Sequence, residues 1–246
     1  MVKGQASFSL IDADKLLAPI MQPGSGASSV PGLKTIVLDP GHGGNDAGMI
    51  NKHLGICEKN LTLDTVLRLK KVLESNGYRV ILTRKDDRRV ELPERPAVAE
   101  KADADLFVSV HFNSVEQGAE KVTGVEVFTM TPQYQLSTDQ KTDPQYASIP
   151  NPGNAQDHWN AVLGFSVHKR LLQDLEIPDR GLKRGRLAVL RLCVCPAVLI
   201  ESGYLSNEAE ARKLGTSKYR QRIAEAIAAG IHDYAIAIDA ARRMRR

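Results

Sequence analysis

The 246 residues include only three cysteines and one tryptophan, and aromatics make up 5% of the chain. Cys57, Cys193 and Cys195 cannot form a disulfide framework: the count is odd, and two of them one residue apart lack the spacing of a zinc knuckle. They read as small core residues with one surface thiol. No apolar run is long enough to span a bilayer. The N-terminus lacks a basic region followed by an apolar core, so no signal peptide is visible. The opening MVKGQASFSLIDADKLLAPIM reads instead as the tail of a larger upstream region. No basic stripe is interleaved with aromatics, which argues against nucleic acid as a partner. A net charge of +4 leans only mildly toward anionic partners. The remainder is an ordinary globular balance, 42% hydrophobic and 25% charged, with length enough for a sizeable core.

Residues 21–33, MQPGSGASSVPGL, have the Gly, Ser and Pro content of a flexible linker. The expected division is therefore an N-terminal remnant plus linker over 1–33 and one domain over 34–246. Within that domain strands and helices alternate. Strands are expected at 34–39, 78–83, 105–110, 186–192 and 196–201, and an edge or antiparallel strand at 123–130. Asn60 can cap a helix with Leu63, Val66, Leu67 and Leu73 inward, stopped by Gly77. A short helix is expected within 92–102 and a long polar loop over 131–156. A helix follows from 157 to 175 with Val162, Leu163, Leu171 and Leu175 inward. The chain ends in a short helix after Ser206 and a long one carrying Ile223, Ile227, Ile231 and Ile238. This alternation, with near-continuous apolar strands, predicts an α/β fold: a single domain around a twisted, mostly parallel sheet of about six strands, helices on both faces.

In such sheets ligands bind beyond the carboxyl ends of the strands. Three chemically capable residues stand there: His42 after IVLDPG, His111 after LFVSV, and Glu201 at the end of PAVLI. Glu58, in the loop GICEKN, lies on the connection leaving His42. Two imidazoles and one carboxylate with an open fourth position form a common catalytic zinc set, and the remaining glutamate can then act on the attacking water. Residue types and spacing leave open which glutamate is the ligand. Gly41, Gly43 and Gly44 let the backbone turn sharply, so that nothing bulky shields His42. Other readings of this loop fail on spacing. The third glycine of a dinucleotide fingerprint would fall at Asp46, and no Gly-Lys-Ser/Thr follows. Ser202 is not in a nucleophile elbow. His53, His158, His168 and His232 read as solvated or structural, and Arg84 and Arg95 as ion-paired structural groups.

With these residues in place, the sequence resembles the catalytic domain of zinc-dependent N-acetylmuramoyl-L-alanine amidases. The resemblance rests on seven ordered blocks: IVLDPGHGGNDAG, CEKNLTL, VILTR, LPERPAVAEKADADLFVSVHFNS, GVEVF, RGLKRGRLAVLR and PAVLIESGYLSN. It implies one Zn2+ held by His42, Glu58 and His111, with Glu201 as the catalytic carboxylate; it names no substrate-binding residue. It also implies a peptidoglycan substrate, cut at the amide between N-acetylmuramic acid and L-alanine, and a periplasmic, cell-envelope or extracellular location. An activator protein or an upstream wall-targeting domain would be the partner. Two rivals stand beside it: a non-catalytic wall-binding module on the same fold, and a zinc peptidase or deacetylase acting on another amide. In some periplasmic division amidases of the family an inserted helix covers the zinc site. Residues 131–156 show no amphipathic helix of that kind, which leaves at most a covering loop.

Overall fold

The computed structural model describes residues 9–25, 27, 29–138 and 144–245. In chain order its elements are α1 (Leu10–Asp12), a π-helical turn (Ala13–Leu17), α2 (Ala18–Met21), β1 (Thr35–Pro40), β2 (Ile50–Asn51), β3 (Ile56–Cys57), α3 (Glu58–Ser75), β4 (Arg79–Leu82), α4 (Glu94–Lys101), β5 (Leu106–Asn113) and β6 (Val125–Met130). Then follow α5 (Pro144–Ala147), α6 (Asp157–Leu175), β7 (Asp179–Gly185), α7 (Ala188–Arg191), β8 (Ala197–Tyr204), α8 (Glu208–Leu214) and α9 (Ser217–Met244).

Six strands form one sheet in the order β4-β1-β5-β8-β6-β7. β4, β1, β5 and β8 are mutually parallel; β6 pairs antiparallel with β8 and parallel with β7. β1 is buried at every position because both faces of the sheet are covered. Alternate residues divide between two cores. Ile36, Leu38, Val108, Val110, Val198 and Ile200 meet the apolar stripes of α3, α6 and α9. Val37, Phe107 and Leu199 face a smaller core closed by Ala99 of α4 and by Val189 and Leu190 of α7. The isoleucines expected inward on α9 and the four apolar residues expected inward on α6 are all buried.

Several expectations need correction. The apolar run at 186–192 is not a strand: Ala188–Arg191 is the helix α7, which buries Val189 and Leu190. The strand lies just before it, in the charged segment DRGLKRG of β7. A short apolar run suits a buried helical turn as well as a strand, and an edge strand is under little pressure to be apolar. The segment 123–130 is antiparallel as expected but internal, since β7 takes the edge. α3 starts at Glu58 with Cys57 at its N-cap, so Asn60 lies inside the helix. Its buried stripe runs through Leu61, Val66, Leu69 and Leu73, while Leu67 is exposed. The two-stranded β2–β3 hairpin was not anticipated.

Reversal of β6 decides where the described residues of 131–156 go. β6 begins beside Glu201, because Glu126 and Glu201 are in register, and runs away from that edge. The described residues after Met130 are held at the opposite end of the sheet. Thr138 N–H bonds to Arg184 O at 2.8 Å, and the Arg186 guanidinium donates to Pro132 O and Gln135 O at 3.1 and 2.8 Å. They cover nothing at the His42 edge; residues 139–143 fall outside the description. The Gly-, Ser- and Pro-rich stretch is tied to α6 and α9: Trp159 Nε1 donates to Ser29 O at 2.8 Å, and Arg242 donates to Pro31 O at 2.5 Å.

Candidate active site

Beyond β1 the chain turns at Gly41, whose N–H bonds to Val110 O of β5. His42 then takes a left-handed conformation, φ 61°, which costs a non-glycine residue on the order of 1 kcal/mol and persists only where its surroundings enforce it. Two buried arginines do so. Arg84 donates to Pro40 O, Gly41 O, Lys59 O and Thr62 Oγ1 at 2.7–3.1 Å. Arg95 donates to Pro40 O and His42 O, both at 2.9 Å, and pairs with Asp39 at 2.8 Å. The ion-paired reading holds for Arg95; Arg84 instead binds carbonyls, and together they fasten the loop. A Cβ at Gly41 would lie 2.2 Å from His111 Cε1, so glycine is required there to admit the neighbouring ring. Gly48 has the same importance and was missed: a Cβ there would sit 2.5 Å from Glu58 Oε2 and 2.7 Å from His42 Cδ2.

His42, Glu58 and His111 come together. Glu58 Oε1 lies 3.0 Å from His42 Nε2 and 3.1 Å from His111 Nδ1, and one ligand atom from each residue falls within 4.8 Å of the others. The two rings stand edge to face, centroids 4.9 Å apart. Backbone N–H groups orient Glu58: Phe112 N donates to Oε1 at 3.0 Å and Met49 N to Oε2 at 2.9 Å. Asp46, which sequence reasoning passed over, lies 2.9 Å from His42 Nδ1 and accepts Gly48 N–H at 3.1 Å. It stands four residues after His42 in a polar loop and carries no signal of its own. A carboxylate on the outer ring nitrogen leaves Nε2 to serve as a lone-pair donor.

Glu201, on β8, is the cross-strand neighbour of His111. Its Oε2 is buried without a hydrogen-bond partner. Burial pushes its pKa up to about 7; the His111 charge opposes the rise, and the Glu58 and Glu126 charges add to it. Burial acts on Glu58 in the same sense, but hydrogen bonds from both imidazoles and their charge outweigh it and hold that carboxyl far below the usual range. On His42 and His111 burial disfavours the charged form, yet the surrounding carboxylates raise both.

The donor set fits a divalent cation. His42 Nε2 and His111 Nδ1 both converge on Glu58 Oε1, while Asp46 occupies the other ring nitrogen of His42 and Met49 N–H the other oxygen of Glu58, so the ligand atoms of the three residues meet at one point. None of the other histidines joins them: His53 and His232 are exposed, and His158 Nε2 lies 2.9 Å from Pro23 O. Cys57 is half-buried with Sγ donating to Ala47 O at 3.1 Å; Cys193 and Cys195 are buried in the smaller core.

A doubly covered sheet with two imidazoles and a carboxylate gathered at its carboxyl edge, and a second, unpartnered carboxylate alongside, defines an α/β protein whose site can hold one metal ion. Comparison with known proteins narrows this. The family described as N-acetylmuramoyl-L-alanine amidase matches residues 36–233. A cell wall amidase of Bacillus anthracis is 34% identical over 240 residues, covering 95% of this chain and 40% of that protein. The chain thus spans less than half the length of that relative. Among solved structures, the amidase AmiC2 of Nostoc punctiforme is 32% identical with a TM-score of 0.68, covering 84% of this chain and 99% of that one. The amidase CwlD of Clostridioides difficile, solved in complex with the GerS lipoprotein, is 30% identical with a TM-score of 0.68, covering 82% and 98%. The chain belongs to the N-acetylmuramoyl-L-alanine amidase family.

Proposed function

We propose that residues 34–246 are a zinc-dependent amidase domain that hydrolyses the bond between N-acetylmuramic acid and L-alanine in peptidoglycan. The observation that carries this reading is the unpartnered Oε2 of Glu201 beside three converged donors. His42, Glu58 and His111 would hold one zinc ion. When bound, zinc supplies Lewis acidity, polarising a carbonyl and lowering the pKa of water toward ~7.

The chain's own residues do the rest. Asp46 keeps His42 Nε2 directed inward. Phe112 N–H and Met49 N–H prevent Glu58 from swinging out. Glu201 takes a proton from the attacking water on its free carboxylate oxygen and delivers it to the nitrogen of the departing L-alanine, which must be protonated to leave. A carboxyl whose ionised form is penalised by burial has a proton affinity suited to both halves of that transfer near neutral pH. A peptidoglycan substrate fits a cell-envelope location, and the CwlD–GerS complex supports a protein partner.

Mass spectrometry of digested peptidoglycan tests the reading: intact stem peptides beginning with L-alanine are expected, in step with zinc content measured on the purified protein. Cleavage at another amide, or full turnover without metal, would refute it.

A further inference from the structure

The edge that holds the three-donor cluster continues past Glu201 onto β6 and β7, where two cations flank a buried acid. Glu126, buried, is in register with Glu201 across the antiparallel β6–β8 pair. Its carboxylate accepts from Tyr204 OH at 2.7 Å, Lys183 Nζ at 2.6 Å and Asn113 Nδ2 at 3.1 Å, and Arg180 Nε lies 3.4 Å away. Two cations therefore lie against one buried carboxylate, and the Arg180 charge also acts on the buried Glu210. Both cations reach solvent: the Arg180 side chain is 37% exposed and that of Lys183 25%, against 5% for Glu126. The Arg180 guanidinium sits over the Tyr204 ring, 5.3 Å from its centroid, so the fork is held in place before any ligand arrives.

Distance along the sheet sets what this pair can reach. Neighbouring strands lie ~4.8 Å apart, so β7, two strands from β8, is ~10 Å from the strand bearing Glu201. An extended peptide covers ~3.3–3.6 Å per residue, so about three residues span that gap, and fewer suffice for Arg180, whose guanidinium leans back over Tyr204 of β8. We infer that Arg180 and Lys183 form a subsite that reads a carboxylate on the second or third residue of the substrate's peptide, counted from the scissile amide. This inference rests on the amidase reading. The guanidinium can present two parallel N–H donors to a carboxylate, while Lys183 adds a point charge and keeps Glu126 satisfied.

The test is steady-state kinetics on pairs of synthetic muramyl tripeptides that differ only in a carboxylate or a carboxamide at the second or at the third residue. The wild type should favour the acid in one pair by about tenfold in kcat/KM, the worth of one charge-assisted hydrogen bond. Arg180→Gln and Lys183→Gln should raise KM for that acid several times more than for its carboxamide, with kcat little changed; Arg180→Lys should keep part of the preference. Equal losses on acid and carboxamide would mean that the cations only hold Glu126, and would overturn the inference. So would a wild type that cleaves every substrate without preference, a measurement that needs no variant to fold. Cleavage of none of them would refute the amidase reading itself, and the subsite with it.

Discussion

Asp39 and Glu201 are acids on the same face of one sheet, and the fold treats them oppositely. Asp39 is fully buried and fully answered: Thr83 Oγ1, Ser109 Oγ and Arg95 donate to it at 2.6, 2.8 and 2.8 Å. Glu201, set two residues further along the edge through the Ser109 and His111 registers, keeps one buried oxygen with no donor at all. A buried carboxylate is costly unless paired and hydrogen-bonded. Where the cost is met, the acid becomes part of the frame: through Arg95 it fastens Pro40 and His42. Where it is not met, the acid retains an affinity for a proton. One holds the frame in place through its donors, the other keeps an oxygen free.

The largest effect that would break this contrast concerns Glu201→Gln. Muropeptide hydrolysis should fall by about 10²–10⁴ while the melting temperature stays level or rises, because a neutral amide removes the penalised charge. A wild-type rate would end the contrast. Asp39→Ala should do the reverse and act on stability, since it strands the Arg95 guanidinium. Denaturant unfolding should show a loss of about 3–5 kcal/mol, and a loss under ~1 kcal/mol would show that water can take the carboxylate's place. A smaller effect sharpens the comparison. Zinc at 100 times its dissociation constant should stabilise the wild type by about 2.7 kcal/mol in a thermal melt. Glu201→Gln should keep that shift and His111→Ala should lose it. A shift lost in both variants would make Glu201 a fourth ligand rather than a separate acid.

His42, His111 and Glu201 were legible because each closes an apolar run, and a parallel sheet delivers strand ends to one edge. Glu58 was one loop acid among several until the resemblance singled it out; in space it is marked by two backbone N–H groups from distant segments. Asp46 and Gly48 gave no signal, since a polar loop of Asn, Asp and Gly reads the same whether or not a ring packs against it. β7 was misplaced for a related reason. As an edge strand it carries Arg180, Lys183 and Arg184, and nothing in their local pattern reports a pairing partner.

Apolar periodicity along the chain determined the α/β layering, the inward stripes of α6 and α9 and the histidines at strand ends, because each depends on residues a few positions apart. Pairing decided what remained. The reversal of β6 sends the described residues that follow Met130 to the far end of the sheet, and it brings Glu126 and the β7 cations alongside Glu201. Strand direction and register are settled by which surfaces meet in three dimensions, so no local stretch of residues encodes them.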